Sequence, residues 1–134
     1  MRVFLDTNII FSAILFPNSI PDKAFQKALS FPNVAITCDY VLEELQRTFS
    51  KKFPNKIDSL NHFLVTLAQN IIIVKVSYET NDISLDIRDD NDKPVLRAAL
   101  EAKADILITG DKDFLESNIL NPIIVKASDF YYNY

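Results

Sequence analysis

Two short apolar segments of the chain each end in an aspartate. Residues 3–5 predict a buried strand that stops at Asp6, and residues 106–108 predict a second strand that runs into the sequence TGDKD, which contains Asp111 and Asp113. Asp, Thr and Asn are also the preferred caps of helix N-termini, so capping alone accounts for Asp6 as well as catalysis does. Because the same chemistry recurs at a second strand end, we favour a site built from carboxylates.

Two further acids lie where helices enter the same region. The helix that begins near residue 39 has apolar positions at helical spacing, which puts Glu43 on the solvent side and Glu44 at the border of the buried stripe. Asp92 precedes Pro94, a residue suited to the first helical turn, and therefore enters a helix that runs to about residue 103. An amphipathic helix flank and a solvated acidic loop over residues 77–92 are the simpler explanations of these two acids.

Segments with strand and helix character alternate over most of the chain, which predicts an α/β fold with a parallel sheet and helices on both faces. The predicted strands are residues 2–5, 34–37, 71–74, 105–108 and 123–125. The continuous apolar character of residues 71–74 is typical of a buried parallel strand. Ligands of such sheets bind beyond the carboxyl ends of the strands, so Asp6 and Asp111 meet if the first and fourth strands are neighbours.

Carboxylates that meet at a sheet edge repel one another unless a cation neutralises them. The single cysteine, Cys38, follows an apolar run and is predicted to be buried, and the single histidine, His62, lies opposite the apolar stripe of its helix. Oxygen ligands therefore remain, which favours Mg²⁺ or Mn²⁺ over zinc. A carboxylate site that holds such a metal is suited to phosphodiester hydrolysis.

The composition excludes several other classes of protein. At 134 residues the chain is most simply one domain over residues 1–134, and its one glycine, Gly110, leaves no Gly-rich dinucleotide loop or P-loop. A net charge of −4 argues against nonspecific nucleic-acid binding through a basic surface, so phosphate contacts must be local or mediated by cations. The apolar segment 9–16 is too short to span a membrane, and we expect a cytoplasmic protein with no membrane contact.

Four sequence segments, in this order, resemble the PIN domain family of nucleases: LDTN, CDYVLEELQRTF, RDDNDKPVLRAAL and LITGDKDF. The resemblance covers essentially the whole chain and is strongest to the stand-alone bacterial PIN proteins that act as toxins of toxin–antitoxin pairs. It implies a three-layer α/β/α fold whose five-stranded parallel sheet has the order 3-2-1-4-5. That order agrees with the separate argument that the first and fourth strands are neighbours.

The resemblance also implies the identity of the site residues. By position, the catalytic and metal-binding acids are Asp6, Glu44, Asp92 and Asp111, and the supporting residues are Asn8, Thr109 and Asp113. Asp6, Asp92 and Asp111 would hold the metal, and Glu44 would hold a second metal or orient the attacking water. The sequence RDDNDK also offers Asp89 and Asp90 for the position of Asp92, which we prefer because it enters the helix.

The function that this resemblance implies is Mg²⁺- or Mn²⁺-dependent cleavage of single-stranded RNA by a toxin that a small antitoxin protein silences. A catalytically silent RNA- or protein-binding module is the alternative, and its mark would be the loss of a site acid. A phosphatase is disfavoured because DTN lacks the second aspartate of a D-x-D nucleophile motif. The cations expected to steer RNA are Arg47, Lys51, Lys52, Arg88, Lys93 and Lys112.

Two apolar segments leave the question of a protein partner open. The helix over residues 7–15 is apolar nearly all the way round, so either this domain buries it or a second copy of the chain covers one face in a homodimer. The C-terminal sequence DFYYNY fits either a partner contact or a docked terminal helix.

Overall fold

A computed structural model describes residues 1–76 and 92–134 of the chain. Its strands form one five-stranded, all-parallel sheet in the order β3-β2-β1-β4-β5, with helices on both faces, as the sequence predicts. The elements in chain order are β1 (Arg2–Leu5), α1 (Thr7–Leu15), α2 (Ile20–Leu29), β2 (Val34–Cys38), α3 (Asp39–Lys52), a 3₁₀ turn (Pro54–Lys56), α4 (Ile57–Asn70), β3 (Ile72–Val74), α5 (Lys93–Glu101), β4 (Ile106–Ile108), α6 (Lys112–Leu115), β5 (Ile123–Val125) and α7 (Ala127–Asn133).

Strand β1 is the centre of the sheet and carries the first candidate acid at its end. It pairs in parallel with β2 on one side and with β4 on the other, where Leu5 lies opposite Ile108. The pairing continues one residue further, because the Asp6 N–H donates to the Ile108 carbonyl at 3.1 Å. The predicted adjacency of the first and fourth strands is therefore confirmed, and it brings Asp6 next to the TGDKD segment.

Apolar side chains on both sides of the sheet form the core that holds these strand ends. The three apolar residues of β1 before Asp6 are fully buried, as are all three residues of β4. Helix α1 buries Ile9, Ile10 and Ala13 and packs against α2, α3 and α4. Burial within this domain thus accounts for the apolar surface of α1 on most of its sides.

Strand β3 is the element whose environment the sequence misjudges. Residues 71–74 are predicted to be buried, yet Ile72 and Ile73 are 42% and 40% exposed. The prediction is wrong because β3 lies at the edge of the sheet, where it pairs only with β2 among the described strands. An unbroken apolar run is typical of central parallel strands and cannot by itself distinguish them from an edge strand.

The C-terminal sequence forms a helix that docks on the domain. Phe130 of α7 is fully buried, and the Lys27 ammonium of α2 donates to the carbonyls of Phe130 and Tyr131 at 3.1 and 3.0 Å. The structure thus has the docked terminal helix, and Tyr132 on this helix and Tyr134 just after it are exposed to solvent. In residues 1–76 and 92–134, no helix is both long and apolar enough to cross a membrane.

Candidate active site

Asp6 is a buried carboxylate whose two oxygens are both engaged in hydrogen bonds. Oδ1 accepts from the Thr7 N–H at 2.7 Å, which caps α1, and Oδ2 accepts from the Thr109 hydroxyl at 2.7 Å. Only 6% of Asp6 is exposed. The first bond is local to the strand-to-helix turn, and the second joins the end of β1 to the end of β4.

Asn8 and Thr109 continue this connection between the two strand ends. The Thr109 hydroxyl accepts from the Asp111 N–H at 3.0 Å while it donates to Asp6. The Asn8 side-chain oxygen accepts from the Gly110 N–H at 2.9 Å, and its amide nitrogen lies 3.5 Å from Asp6 Oδ2. These two residues therefore contact the Asp6 carboxylate and bind backbone N–H groups at the end of β4. Their supporting role stays a prediction, which these contacts support.

Asp111 repeats at β4 the arrangement of Asp6 at β1. Its Oδ1 accepts from the Asp113 N–H at 2.8 Å and caps the short helix α6. Capping and a place in the site are therefore compatible at both strand ends, because a carboxylate has more acceptor capacity than one N–H uses.

Three carboxylates lie close enough to share a cation. Asp92, Asp111 and Asp113 each offer an oxygen, and these three oxygens all lie within 4.8 Å of one another. All three residues are partly buried, and Asp92 precedes α5 as the sequence predicts. Asp113, expected only to support the site, thus lies as close to Asp92 and Asp111 as a metal ligand would.

All four acids predicted to be catalytic line one cavity of about 230 Å³. Asp6 and Asp111 come from the ends of β1 and β4, Glu44 comes from α3, and Asp92 comes from the start of α5. Thr7, Asn8, Phe11, Thr48, Lys52 and Val95 complete the lining. Sequence reasoning missed Phe11, Thr48 and Val95, although Thr48 lies one helical turn after Glu44 and so falls on the same face of α3.

Burial raises the pKa of the Asp6 carboxyl to about 6, and the hydrogen bonds from Thr109 and Thr7 only partly oppose this rise. The charges of Glu44 and Asp111 raise it further. The acids are therefore close enough to repel one another, as the sequence argument anticipates.

The side chains present fit a divalent cation that prefers oxygen. The cavity and the three-oxygen cluster offer carboxylates, together with the excess negative charge that a cation would neutralise. Cys38 is buried, and burial raises the pKa of its thiol to about 12, so it is not a thiolate ligand at neutral pH. His62 is exposed on α4 and does not line the cavity. The choice of Mg²⁺ or Mn²⁺ over zinc stays a prediction that this donor set supports.

Parts of the predicted site fall outside the described residues. Asp89 and Asp90, the alternatives to Asp92, lie there, as does Arg88 among the predicted RNA-steering cations. The assignment of Asp6, Glu44, Asp92 and Asp111 as metal ligands remains a prediction, which their shared cavity supports.

A five-stranded parallel sheet of order 3-2-1-4-5, with acids at the carboxyl ends of its strands, is the arrangement expected of a PIN domain. The sequence profile of the PIN domain family matches residues 2–113, so the chain belongs to the PIN domain family. An uncharacterized protein of Methanocaldococcus jannaschii, MJ1680, is 32% identical over 117 residues, which cover 86% of this chain and 74% of that protein.

Two solved structures share the fold at lower identity. VapBC2 of Rickettsia felis, crystallised with a DNA fragment from its promoter, aligns with a TM-score of 0.69 at 23% identity and covers 94% of this chain and 98% of that one. VapC20 of Mycobacterium tuberculosis, a toxin that cleaves the sarcin-ricin loop, aligns with a TM-score of 0.62 at 14% identity. That alignment covers 85% of this chain and 93% of VapC20.

Proposed function

We propose that this protein is a Mg²⁺- or Mn²⁺-dependent endoribonuclease that cleaves single-stranded RNA, and that residues 1–134 form one PIN-like domain for this activity. The observation that carries the proposal is the convergence of Asp6, Glu44, Asp92 and Asp111 on one cavity. These acids come from four separate places in the sequence, and capping explains the positions of Asp6 and Asp111 but not that of Glu44 in the middle of α3.

Each side chain has a role that follows from its position. Asp92 and Asp111 would hold the divalent ion, with Asp113 as a further oxygen ligand beside them and Asp6 as a ligand directly or through water. Glu44, on α3, would hold a second ion or accept a proton from the attacking water. Asn8 and Thr109 keep the carboxylates in place through their hydrogen bonds. A bound divalent ion lowers the pKa of water and offsets the charge that grows on the phosphate.

We further propose that the protein is a cytoplasmic toxin whose activity a small antitoxin protein blocks. The fold shared with VapBC2 and with the toxin VapC20 supports this role. Induction of the protein alone should arrest growth, and co-expression of a short open reading frame encoded beside it should restore growth. Growth arrest that persists with every neighbouring reading frame, or no arrest at all, would contradict the toxin role without bearing on cleavage.

The nuclease is tested with purified protein, single-stranded RNA and Mn²⁺ or Mg²⁺. Wild type should cleave the RNA, whereas Asp6→Asn and Glu44→Gln should each lose most of the activity. Glu43→Gln is the matched control for Glu44→Gln, because Glu43 is the adjacent residue of the same helix and is exposed to solvent. Equal cleavage by wild type and Asp6→Asn would refute the proposed site. RNA binding without cleavage under any divalent ion would instead indicate the silent binding module.

A further inference from the structure

Helix α3 carries cations on the same side as the candidate acids. Glu44, Thr48 and Lys52, spaced four residues apart, line the acidic cavity. An adjoining cavity of about 450 Å³ shares these three residues and Asp92 and Asp111 with it. The additional residues of that second cavity include Tyr40, Arg47 and Lys51. One continuous depression therefore has carboxylates beside Glu44, in the middle of α3, and three cations between Glu44 and the C-terminal end of this helix.

We propose that Arg47, Lys51 and Lys52 form a phosphate-binding track, which holds the RNA strand beside the bond that is cleaved. This inference rests on the proposed ribonuclease function and specifies how the same site binds its substrate. Of the cations predicted to steer RNA, the track includes only these three. Lys93 and Lys112 lie at the starts of α5 and α6 and do not line the two cavities.

The charges of the track are available to a ligand. Arg47 lies close enough to Tyr40 to hydrogen bond with its hydroxyl, a neutral partner that helps to orient the guanidinium. Within the part of the chain that the structure describes, the Lys51 and Lys52 ammonium groups have no carboxylate partner in an ion pair. All three side chains are exposed to solvent. Because the whole chain has a net charge of −4, this local group is the kind of surface through which an acidic protein can hold phosphates.

Helix stabilisation is the simpler explanation of part of this pattern. Lys51 and Lys52 lie in the last turn of α3, where cations interact favourably with the helix dipole. That effect does not account for Arg47, which lies further from the helix end, nor for the position of all three residues along a depression that begins at the acids.

The length of the helix indicates which phosphate the track would hold. Lys51 and Lys52 follow Glu44 by seven and eight residues, which at 1.5 Å per residue is about 10–12 Å along the axis. Lys52 also lines the acidic cavity, whereas Lys51 lies outside it. The track therefore leads from the phosphate at the acids to a neighbouring phosphate of the same strand at Lys51. The track therefore acts on polynucleotides and contributes little to a substrate that has a single phosphodiester.

The binding test compares Lys51→Gln/Lys52→Gln with the control Lys56→Gln/Lys103→Gln, which removes the same charge from exposed positions outside the two cavities. Each pair is made in Asp6→Asn protein so that the strand is not cut. Binding of a fluorescein-labelled single-stranded RNA is followed by fluorescence anisotropy between about 50 and 200 mM salt. We expect the slope of log affinity against log salt to fall by about 0.7 per lysine removed from the track, and to change less in the control. Equal slopes for the two pairs would overturn the inference.

The activity test keeps Asp6 and compares two substrates, the same RNA and bis(p-nitrophenyl) phosphate. With the track pair, the loss of kcat/KM on RNA should exceed the loss on the small diester at least several-fold. Equal losses on both would place the lysines at the reacting phosphate and overturn the track. If wild type hydrolyses neither substrate with any divalent ion, the proposed nuclease fails, whereas the salt slope still decides whether the track binds RNA.

Discussion

Replacement of Asp6 by asparagine should make the metal-free protein more stable at neutral pH while removing its response to metal. The side chain keeps its size, and its remaining oxygen can still accept the Thr7 N–H that caps α1. What changes is the charge of a group that is 6% exposed and lies near the charges of Glu44 and Asp111. The substitution therefore removes from the folded, metal-free protein a buried negative charge that burial and the neighbouring acids make unfavourable.

The size of the effect follows from the pKa of Asp6. Burial and neighbouring charge raise that pKa from its ordinary value of 3.8 to about 6. The folded state thus binds the proton more tightly than the unfolded chain, so the stability that protonation contributes is complete below pH 3.8 and is lost as the pH rises to about 6. A difference of about two units corresponds to about 3 kcal/mol at neutral pH.

The amide at position 6 removes that cost but introduces one of its own. Its NH₂ group faces Thr109, whose hydroxyl donated to the carboxylate and must now turn to accept, at a cost of about 1 kcal/mol. The net expectation is a gain of about 1–3 kcal/mol for Asp6→Asn at pH 7 without metal. Below about pH 4, where wild-type Asp6 is protonated, the gain should disappear.

The assay is urea unfolding of wild type and Asp6→Asn with EDTA, at neutral and at acid pH, repeated at neutral pH with Mn²⁺. Binding to the folded state stabilises a protein by about 2.7 kcal/mol at a hundredfold excess over Kd, so Mn²⁺ should raise wild type well above its EDTA value and raise the variant much less. Asp58→Asn, at an exposed position of α4, is the control. An Asp6→Asn protein that is less stable than wild type in EDTA at neutral pH, or that gains as much from Mn²⁺, would refute the reasoning.

Three further changes test the structure around the site. Thr109→Val removes the hydrogen bond to Asp6, so it should lower the free energy of unfolding by about 1–3 kcal/mol and weaken Mn²⁺ binding in calorimetry. The control is Thr37→Val, which removes a buried hydroxyl bonded to a β1 carbonyl. It should also lower the free energy of unfolding but leave the Mn²⁺ affinity unchanged. Asp111→Asn should keep the cap of α6, whereas Asp111→Ala should cost about 1 kcal/mol in urea unfolding, and both should lose Mn²⁺ binding to a similar degree. Undiminished Mn²⁺ binding by Asp111→Asn would mean that Asp111 is only a cap. Lys103→Gly, at a φ of 55° just after α5, should stabilise the protein by about 0.5–1 kcal/mol; no gain in thermal unfolding would contradict that strain.

The full order of the sheet is predicted through the resemblance to the PIN domain family, whereas the residue pattern alone predicts a parallel sheet and favours the adjacency of β1 and β4. Alternating helical and strand segments require parallel pairing, and the acids after β1 and β4 have a common purpose only if those strands are neighbours. The bounds of β1 and β5 match the expected ones, and α5 ends at Glu101, two residues before the expected end near residue 103. Such differences at helix ends are small because caps and turns leave local signals.

What could not be predicted depends on the surroundings of a residue rather than on its own segment. Ile72 and Ile73 are predicted to be buried but are exposed, because the apolar pattern of a segment does not reveal which strand lies at the edge of the sheet. The closeness of Asp113 to Asp92 arises from the turn that α6 makes after Asp111, which no spacing in the sequence reports. Thr48 lies four residues after Glu44 and therefore on the same face of α3. That spacing identifies Thr48 as a site residue only once it is known that this face lines the acidic cavity.

Helix capping and catalysis are not competing explanations of the aspartates at the two strand ends. A parallel strand that passes into a helix leaves N–H groups without partners, and a short carboxylate side chain satisfies one of them, as Asp6 and Asp111 both do. Because β1 and β4 are adjacent and parallel, the two caps are brought to the same edge of the sheet, and the Thr109 hydroxyl links them. The fold therefore brings Asp6 and Asp111 together as a consequence of local capping. Glu44 and Asp92 line the same cavity although neither side chain caps a helix, so capping does not explain their positions and a functional reason does.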